Sequence, residues 1–195
     1  MSKEVKLSLP PLKIGVLTLK VEGTSPYMPE PMDSAVTEMY NKKKSKQTYK
    51  KDDLSEEDKV QQKYYYTSDG QKGIPARAFY RSMERASSYL FDKKDGGMRN
   101  VREGVTILGD VLPLEYENEH VIEHWGRMSG MTKAPRKILR NAFERWSVIL
   151  QIQYNESQLS PEQIINVLNY AGFYVGVGAF RKERSGNYGC FKIVN

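Results

Sequence analysis

The spacing of apolar positions changes several times along the chain, and each change marks an element. Leu12 to Val21 is dense in aliphatic and β-branched residues and is closed by Glu22-Gly23-Thr24-Ser25-Pro26, which predicts a strand and then a loop. Gly73-Ile74-Pro75 restarts the order. Proline suits a first helical position, and Ala78, Phe79, Met83, Ala86 and Leu90 recur at spacings of three and four, so a helix is predicted over 75–91. Val101 to Tyr116 reads as extended, interrupted by Gly109-Asp110 and Pro113, and 117–137 reads as polar and irregular. From Ala142 to Tyr154 the chain alternates: Trp146, Val148, Leu150, Ile152 and Tyr154 point one way, and Arg145, Ser147, Ile149, Gln151 and Gln153 the other. Ser160-Pro161-Glu162-Gln163 carries a capping box and predicts a helix over 161–171 that stops at Gly172. A glycine-bearing loop and a short C-terminal strand follow.

The order is β-α-β-β-α-β, which predicts an α+β fold of the ferredoxin-like (RRM-like) kind as a single domain over 1–195. Both helices then cover one face of a four-stranded antiparallel sheet, and the other face is open to a ligand. Residues 25–72 break the pattern. Three prolines lead into six lysines between Asn41 and Lys51, and Asp52, Asp53, Glu56, Glu57 and Asp58 follow. Almost no apolar periodicity runs through this stretch, so it reads as a charged insertion or arm after the first strand.

Composition narrows the picture only a little. The chain has 195 residues, and 30 basic against 24 acidic side chains leave a net charge of +6, which permits nucleic-acid binding without requiring it. The single Cys190 excludes a disulfide framework and an all-cysteine zinc site, and points to a reducing compartment. No signal-peptide core, lipidation motif or apolar run of about 20 residues is visible, so a soluble, cytoplasmic protein without membrane contact is expected.

The densest candidate chemistry lies at the C-terminus. Gly172, Gly176, Gly178, Gly186 and Gly189 are interleaved with Arg181, Lys182 and Arg184 and with Tyr174, Phe180 and Tyr188. Glycines let phosphates approach backbone N–H groups, cations neutralise them, and aromatic rings stack on unpaired bases. A plain glycine-rich connection with ordinary surface charge has the same composition. His120 and His124, beside Glu119 and Glu123, would share a face on a helix, but no third metal ligand is evident and no motif makes either a general acid or base. They read as polar loop residues. No cofactor motif, metal motif or catalytic constellation is present.

The glycine loop between a helix and a strand resembles the glycine-rich loop of the RAMP superfamily, the RRM-like proteins of CRISPR effector complexes and CRISPR RNA processing. The helix opening Gly73-Ile-Pro-Ala-Arg-Ala-Phe-Tyr-Arg-Ser-Met-Glu-Arg-Ala86 resembles that family's helix start. The two motifs together also resemble those of small phage- and prophage-encoded proteins. Gly186 and Gly189 straddle Asn187 and Tyr188 where the family loop often ends in Gly-x-Gly, and Arg81 stands where lysine or serine is common. The resemblance implies a non-catalytic protein that binds RNA or single-stranded nucleic acid through the sheet face and the glycine-rich loop (Gly176, Gly178, Gly186, Gly189). It would do so in multiple copies or within a larger complex. Arg77, Arg81, Arg181, Lys182, Arg184 and Tyr188 would contact the strand, and Lys42, Lys43 and Lys44 would lie along its backbone. The alternative is a phage-encoded structural or interaction module without nucleic-acid binding, such as a mimic or inhibitor of a host CRISPR complex. An RNA endonuclease using His120 or His124 is a third reading.

Limited trypsin digestion tests the insertion: the first cut is expected among Lys42 to Lys51, with the remainder left folded. First cleavage elsewhere contradicts an arm.

Overall fold

The computed structural model describes residues 11–30, 64–92, 94, 96–127 and 135–194. In chain order these form β1 (Ile14–Gly23), β2 (Tyr65–Tyr66), β3 (Lys72–Pro75), α1 (Ala76–Leu90), α2 (Gly97–Gly104), β4 (Val105–Ile107) and β5 (Val111–Pro113). There follow β6 (Asn118–Arg127), β7 (Pro135–Glu144), β8 (Ser147–Asn155), α3 (Pro161–Tyr170) and β9 (Phe191–Val194). The fold is α+β. The main sheet has the order β4-β8-β1-β9 and every pairing in it is antiparallel; β2-β3-β5 form a second sheet and β6-β7 a hairpin. Of the segment expected to be a charged arm, 31–63 lies outside the described residues, Lys42, Lys43 and Lys44 included. Its two ends pack into the body, where Tyr27 and Met28 are fully buried.

β1 and β8 pair along their whole length, with Leu17 opposite Ile152 and Leu19 opposite Leu150. Strand alternation therefore sends Leu19, Val21, Leu150 and Ile152 to one face, onto which α1 packs Phe79 and Met83 and α3 packs Ile164 and Leu168 in one apolar core. Ile14, Val16 and Ile149 share the other face and stay more than half exposed. The capping box forms as its sequence dictates: Ser160 Oγ accepts from the Gln163 N–H, and Gln163 Oε1 accepts from the Ser160 N–H.

Three expectations are corrected. The segment 117–137 is not irregular, because Asn118–Arg127 and Pro135–Glu144 form the β6-β7 hairpin. Its sequence hides this, because Val121 and Ile122 are adjacent and Trp125 is 69% exposed, so no apolar period marks the face that packs on the body. Nor does one strand run from Ala142 to Tyr154. Ala142–Glu144 close β7, Arg145 turns the chain at φ 46°, and β8 begins at Ser147. Phe143 and Trp146 are buried on either side of that corner, three residues apart, so the buried positions change parity there while the chain still reads as apolar on both sides. Val101 lies in the short helix α2 rather than in an extended segment, and it is the one apolar residue α2 buries, too few for a period.

α3 does not stop at Gly172. It widens into one π-helical turn, Ala171–Val175, and ends at Gly176 with φ 77°. The chain after it folds back on the exit of β1: Ala179 donates to the Met28 carbonyl (2.8 Å), Gly189 to the Pro26 carbonyl (2.8 Å) and Val177 to the Gly189 carbonyl (2.9 Å). Gly178 makes this approach possible. Its φ is +81°, and a Cβ there would lie 2.2 Å from the Met28 carbonyl oxygen and 2.7 Å from the Tyr27 ring. The loop glycines thus let backbone pack on backbone within the chain.

Gly178→Ala is expected to destabilise by about 2–4 kcal/mol, combining left-handed strain with overpacking. Gly70→Ala, with a similar φ of +84° but nothing within 4 Å, should cost only the backbone part, about 1 kcal/mol. Equal losses in denaturant melts would refute the close-packing account. Ser160→Ala should cost about 1 kcal/mol through the lost cap, and an unchanged melt would show that the box contributes nothing.

Candidate functional site

The two motifs singled out in the sequence meet. The first turns of α1 and the chain from Val175 to Glu183 form the walls of a groove of about 590 Å³, with α2 along its rim. Five arginines line it (Arg77, Arg81, Arg85, Arg102 and Arg181) against Glu84 and Glu183. Helical spacing explains the α1 wall: Phe79, Met83 and Ala86 turn inward, so Arg77, Arg81 and Arg85 turn out along one flank.

The two glutamates organise four of the five arginines. Glu84 accepts from Arg81 Nη1 at 2.7 Å and from Arg102 Nε at 2.8 Å, which ties α2 to α1. Burial works against ionisation of Glu84, but these bonds outweigh it and hold the carboxyl below the ordinary carboxylate range. Glu183 accepts from Arg85 Nε at 3.0 Å and from Arg181 Nε at 3.1 Å, bridging helix and loop. Arg181 also donates to the Gly178 carbonyl at 3.2 Å, and its side chain is only 23% exposed. Arg77 is exposed and has no ionic partner among the described residues.

The remaining expected residues separate. Lys182 leaves the groove and sets its ammonium 3.8 Å from the centroid of the Phe173 ring. Arg184 lies on the exposed turn Lys182–Arg184. Tyr188 is half buried and packs on His124, which also lies 4.5 Å from Phe180. Gly186 and Gly189 abut the carbonyls of Phe180 and Val177. Among the described residues, no strand residue on the open sheet face, the other expected surface, is aromatic, and Tyr116 stands at its edge beside Lys20 and Glu22. Lys20 there is bonded to Glu115 at 3.2 Å.

The histidines lie on strand β6, not in a loop. Four residues along a strand span about 13 Å, so His120 and His124 cannot share a metal. Glu119 points to the opposite face of β6, where Lys72 (2.6 Å) and the Tyr64 hydroxyl bond to it. Burial, and then that bond, raise the Tyr64 hydroxyl well above the usual phenol range. Among the described residues no three His, Cys, Asp or Glu side chains gather as a metal site, and no helix is long and apolar enough to cross a membrane.

Sequence reading missed Arg85 and Arg102 as groove residues. Arg85 continues the Arg77–Arg81 flank at a spacing of four and was findable from it. Arg102 was not, because α2 has no periodicity to declare it. Tyr65 was missed too: it lines the groove, and its hydroxyl donates to the Glu30 carbonyl at 3.0 Å. Glu30 itself stands 4.0 Å from both Arg140 and Arg181.

No protein-family profile matches the sequence, and no curated protein matches it. Among solved structures, the chain is similar to the crystal structure of Cmr6 from Pyrococcus furiosus. The two are 11% identical, the match covers 94% of this chain and 100% of that one, and the TM-score is 0.42.

Proposed function

We propose that this protein binds nucleic acid, with backbone phosphates held in the arginine groove between α1 and the glycine-rich loop. The observation that carries this reading is the convergence of five arginines from three elements against two glutamates in one open groove. Guanidinium forks match phosphate geometry, and several in a row suit a polyanion better than a small ligand. Four of them are already ordered by Glu84 and Glu183, so little side-chain freedom remains to be lost on binding. Arg77, Arg81 and Arg102 are the proposed phosphate contacts. Arg181 positions the loop. Lys182 and Arg184 extend the positive surface past the groove, and Tyr188 supports the loop from within.

The frame that presents the groove is read as ferredoxin-like. The order β4-β8-β1-β9, with α1 after β1 and α3 after β8, is the arrangement a split βαβ unit gives; β2-β3-β5 and the β6-β7 hairpin are additions to it. One observation favours a protein-interaction module instead: Ile14, Val16 and Ile149 stand exposed together on the open sheet face.

Salt titration of binding to random single-stranded RNA, single-stranded DNA and duplex decides between the two. Replacing Arg77, Arg81 and Arg102 together by glutamine should weaken binding across all sequences and reduce the salt slope by about 2, at about 0.7 per lost contact on a single strand. Glu84→Gln should tighten binding, since it removes the anion that competes with phosphate while its amide oxygen still accepts from Arg81 and Arg102 and keeps them ordered. Absence of wild-type affinity for any nucleic acid at physiological salt, or a triple variant with an unchanged slope, overturns the reading.

A further inference from the structure

Beyond the groove, α1, the end of α3 and the π-helical turn bring four aromatic rings to the surface. Tyr89 follows Arg85 by four residues, so the two are neighbours on α1 and the patch continues the groove wall. Tyr170 ends α3. In the π turn, Ala171, Gly172 and Val175 face the core, which turns Phe173 and Tyr174 outward. Tyr174 is the hub, with its ring centroid 5.4 Å from Tyr89, 5.3 Å from Tyr170 and 4.9 Å from Phe173. Phe173 is 59% exposed and Tyr89 55%. Rings this close together and this exposed are assembled without being buried.

We infer that Tyr89, Phe173 and Tyr174, with Lys182, form a base-stacking platform at the end of the arginine groove, and that the ligand is therefore a single strand with unpaired bases. This rests on the groove holding phosphates. Three features support stacking. The Tyr89–Tyr174 and Tyr170–Tyr174 ring planes are inclined by only 31° and 33°, so the three tyrosines spread as a shallow tiled surface, and Phe173 stands at 81° to Tyr174 as a wall at its edge. The Lys182 ammonium covers one face of Phe173 at 3.8 Å and lies 6.0 Å from the Tyr174 ring, so a cation is held at the margin of the tyrosine surface within reach of a phosphate. Glu183, adjacent to Lys182, is bonded to Arg85 and Arg181, so platform and groove share one scaffold. A base inside a duplex is already stacked and cannot use such a surface.

The test compares wild type with Tyr89→Leu, Phe173→Leu and Tyr174→Leu, singly and combined. Leucine keeps apolar bulk and removes the π face, and the exposure of these sites keeps the melting temperature close to wild type. The probes are a single-stranded RNA, the same strand with abasic sites, and its duplex. Wild type should bind the intact strand more tightly than the abasic one. The combined variant should lose roughly tenfold or more for the intact strand, its salt slope and duplex binding unchanged. If wild type binds intact and abasic strands equally, or if the leucine variants bind like wild type, the platform is refuted while the groove reading stands. If the variants alter self-association or protein capture and leave single-strand affinity untouched, the patch is a protein contact and the inference falls. Failure of the groove reading is separate: the arginine variants would then bind every probe like wild type.

Discussion

The structure turns on a seam of backbone contacts between the chain leaving β1 and the glycine loop that returns before β9. Main-chain bonds join Pro26 to Gly189 and Met28 to Ala179, while Tyr27 exchanges a pair of bonds with Phe143 of β7 (2.9 Å each). One short segment, 26–28, is thereby held by the loop on one side and the hairpin on the other. Its side chains close the gap, with Tyr27 lying 6.1 Å from Phe143 and 5.8 Å from Trp146. Side chains on the loop glycines would push these strips of backbone apart. The groove depends on the seam, because the loop that carries Val175–Gly178, Arg181 and Glu183 is one of its walls.

Ion pairing inside the groove has a cost structure suited to exchange. Partly exposed arginine–glutamate pairs contribute about 0–1 kcal/mol to stability, so Glu84 and Glu183 can lose arginines to another anion without endangering the fold. The pairs keep the guanidinium groups extended and near one another, which isolated arginines on a helix would not maintain. Arg102 shows the benefit: its side-chain bond to Glu84 joins the bond from the Tyr80 hydroxyl to its own carbonyl (2.7 Å), so α2, which buries only Gly97 and Val101, is tied twice to α1.

Much of the frame was legible because its elements follow simple periods. The β1 run, the α1 stripe, the β8 alternation and the Ser160–Gln163 cap each state their structure locally. The hairpin was not legible, since only Ile122 and His124 of β6 pack toward the loop, and two such residues leave no clean alternation. The corner at Arg145 was hidden for the opposite reason, with buried aromatics on both sides. For the site, the two motifs were visible separately, but composition could not say that Gly178 and Gly189 face the chain's own carbonyls. Nor could it say that Lys182 departs to an aromatic ring while Arg181 turns inward. Those outcomes depend on φ and on tertiary packing, which neighbours in sequence do not encode.

The bond between Tyr65 and the Glu30 carbonyl has an architectural consequence. Tyr65 lines the groove and Glu30 stands 4.0 Å from Arg181, so this one bond fastens the exit of β1 to the entry of β2 at the edge of the arginine wall. The acceptor is a main-chain oxygen, which every residue carries, whereas the donor is a phenol that only tyrosine supplies. The clasp therefore constrains the two positions unequally: position 30 is free to change its side chain, and position 65 is not.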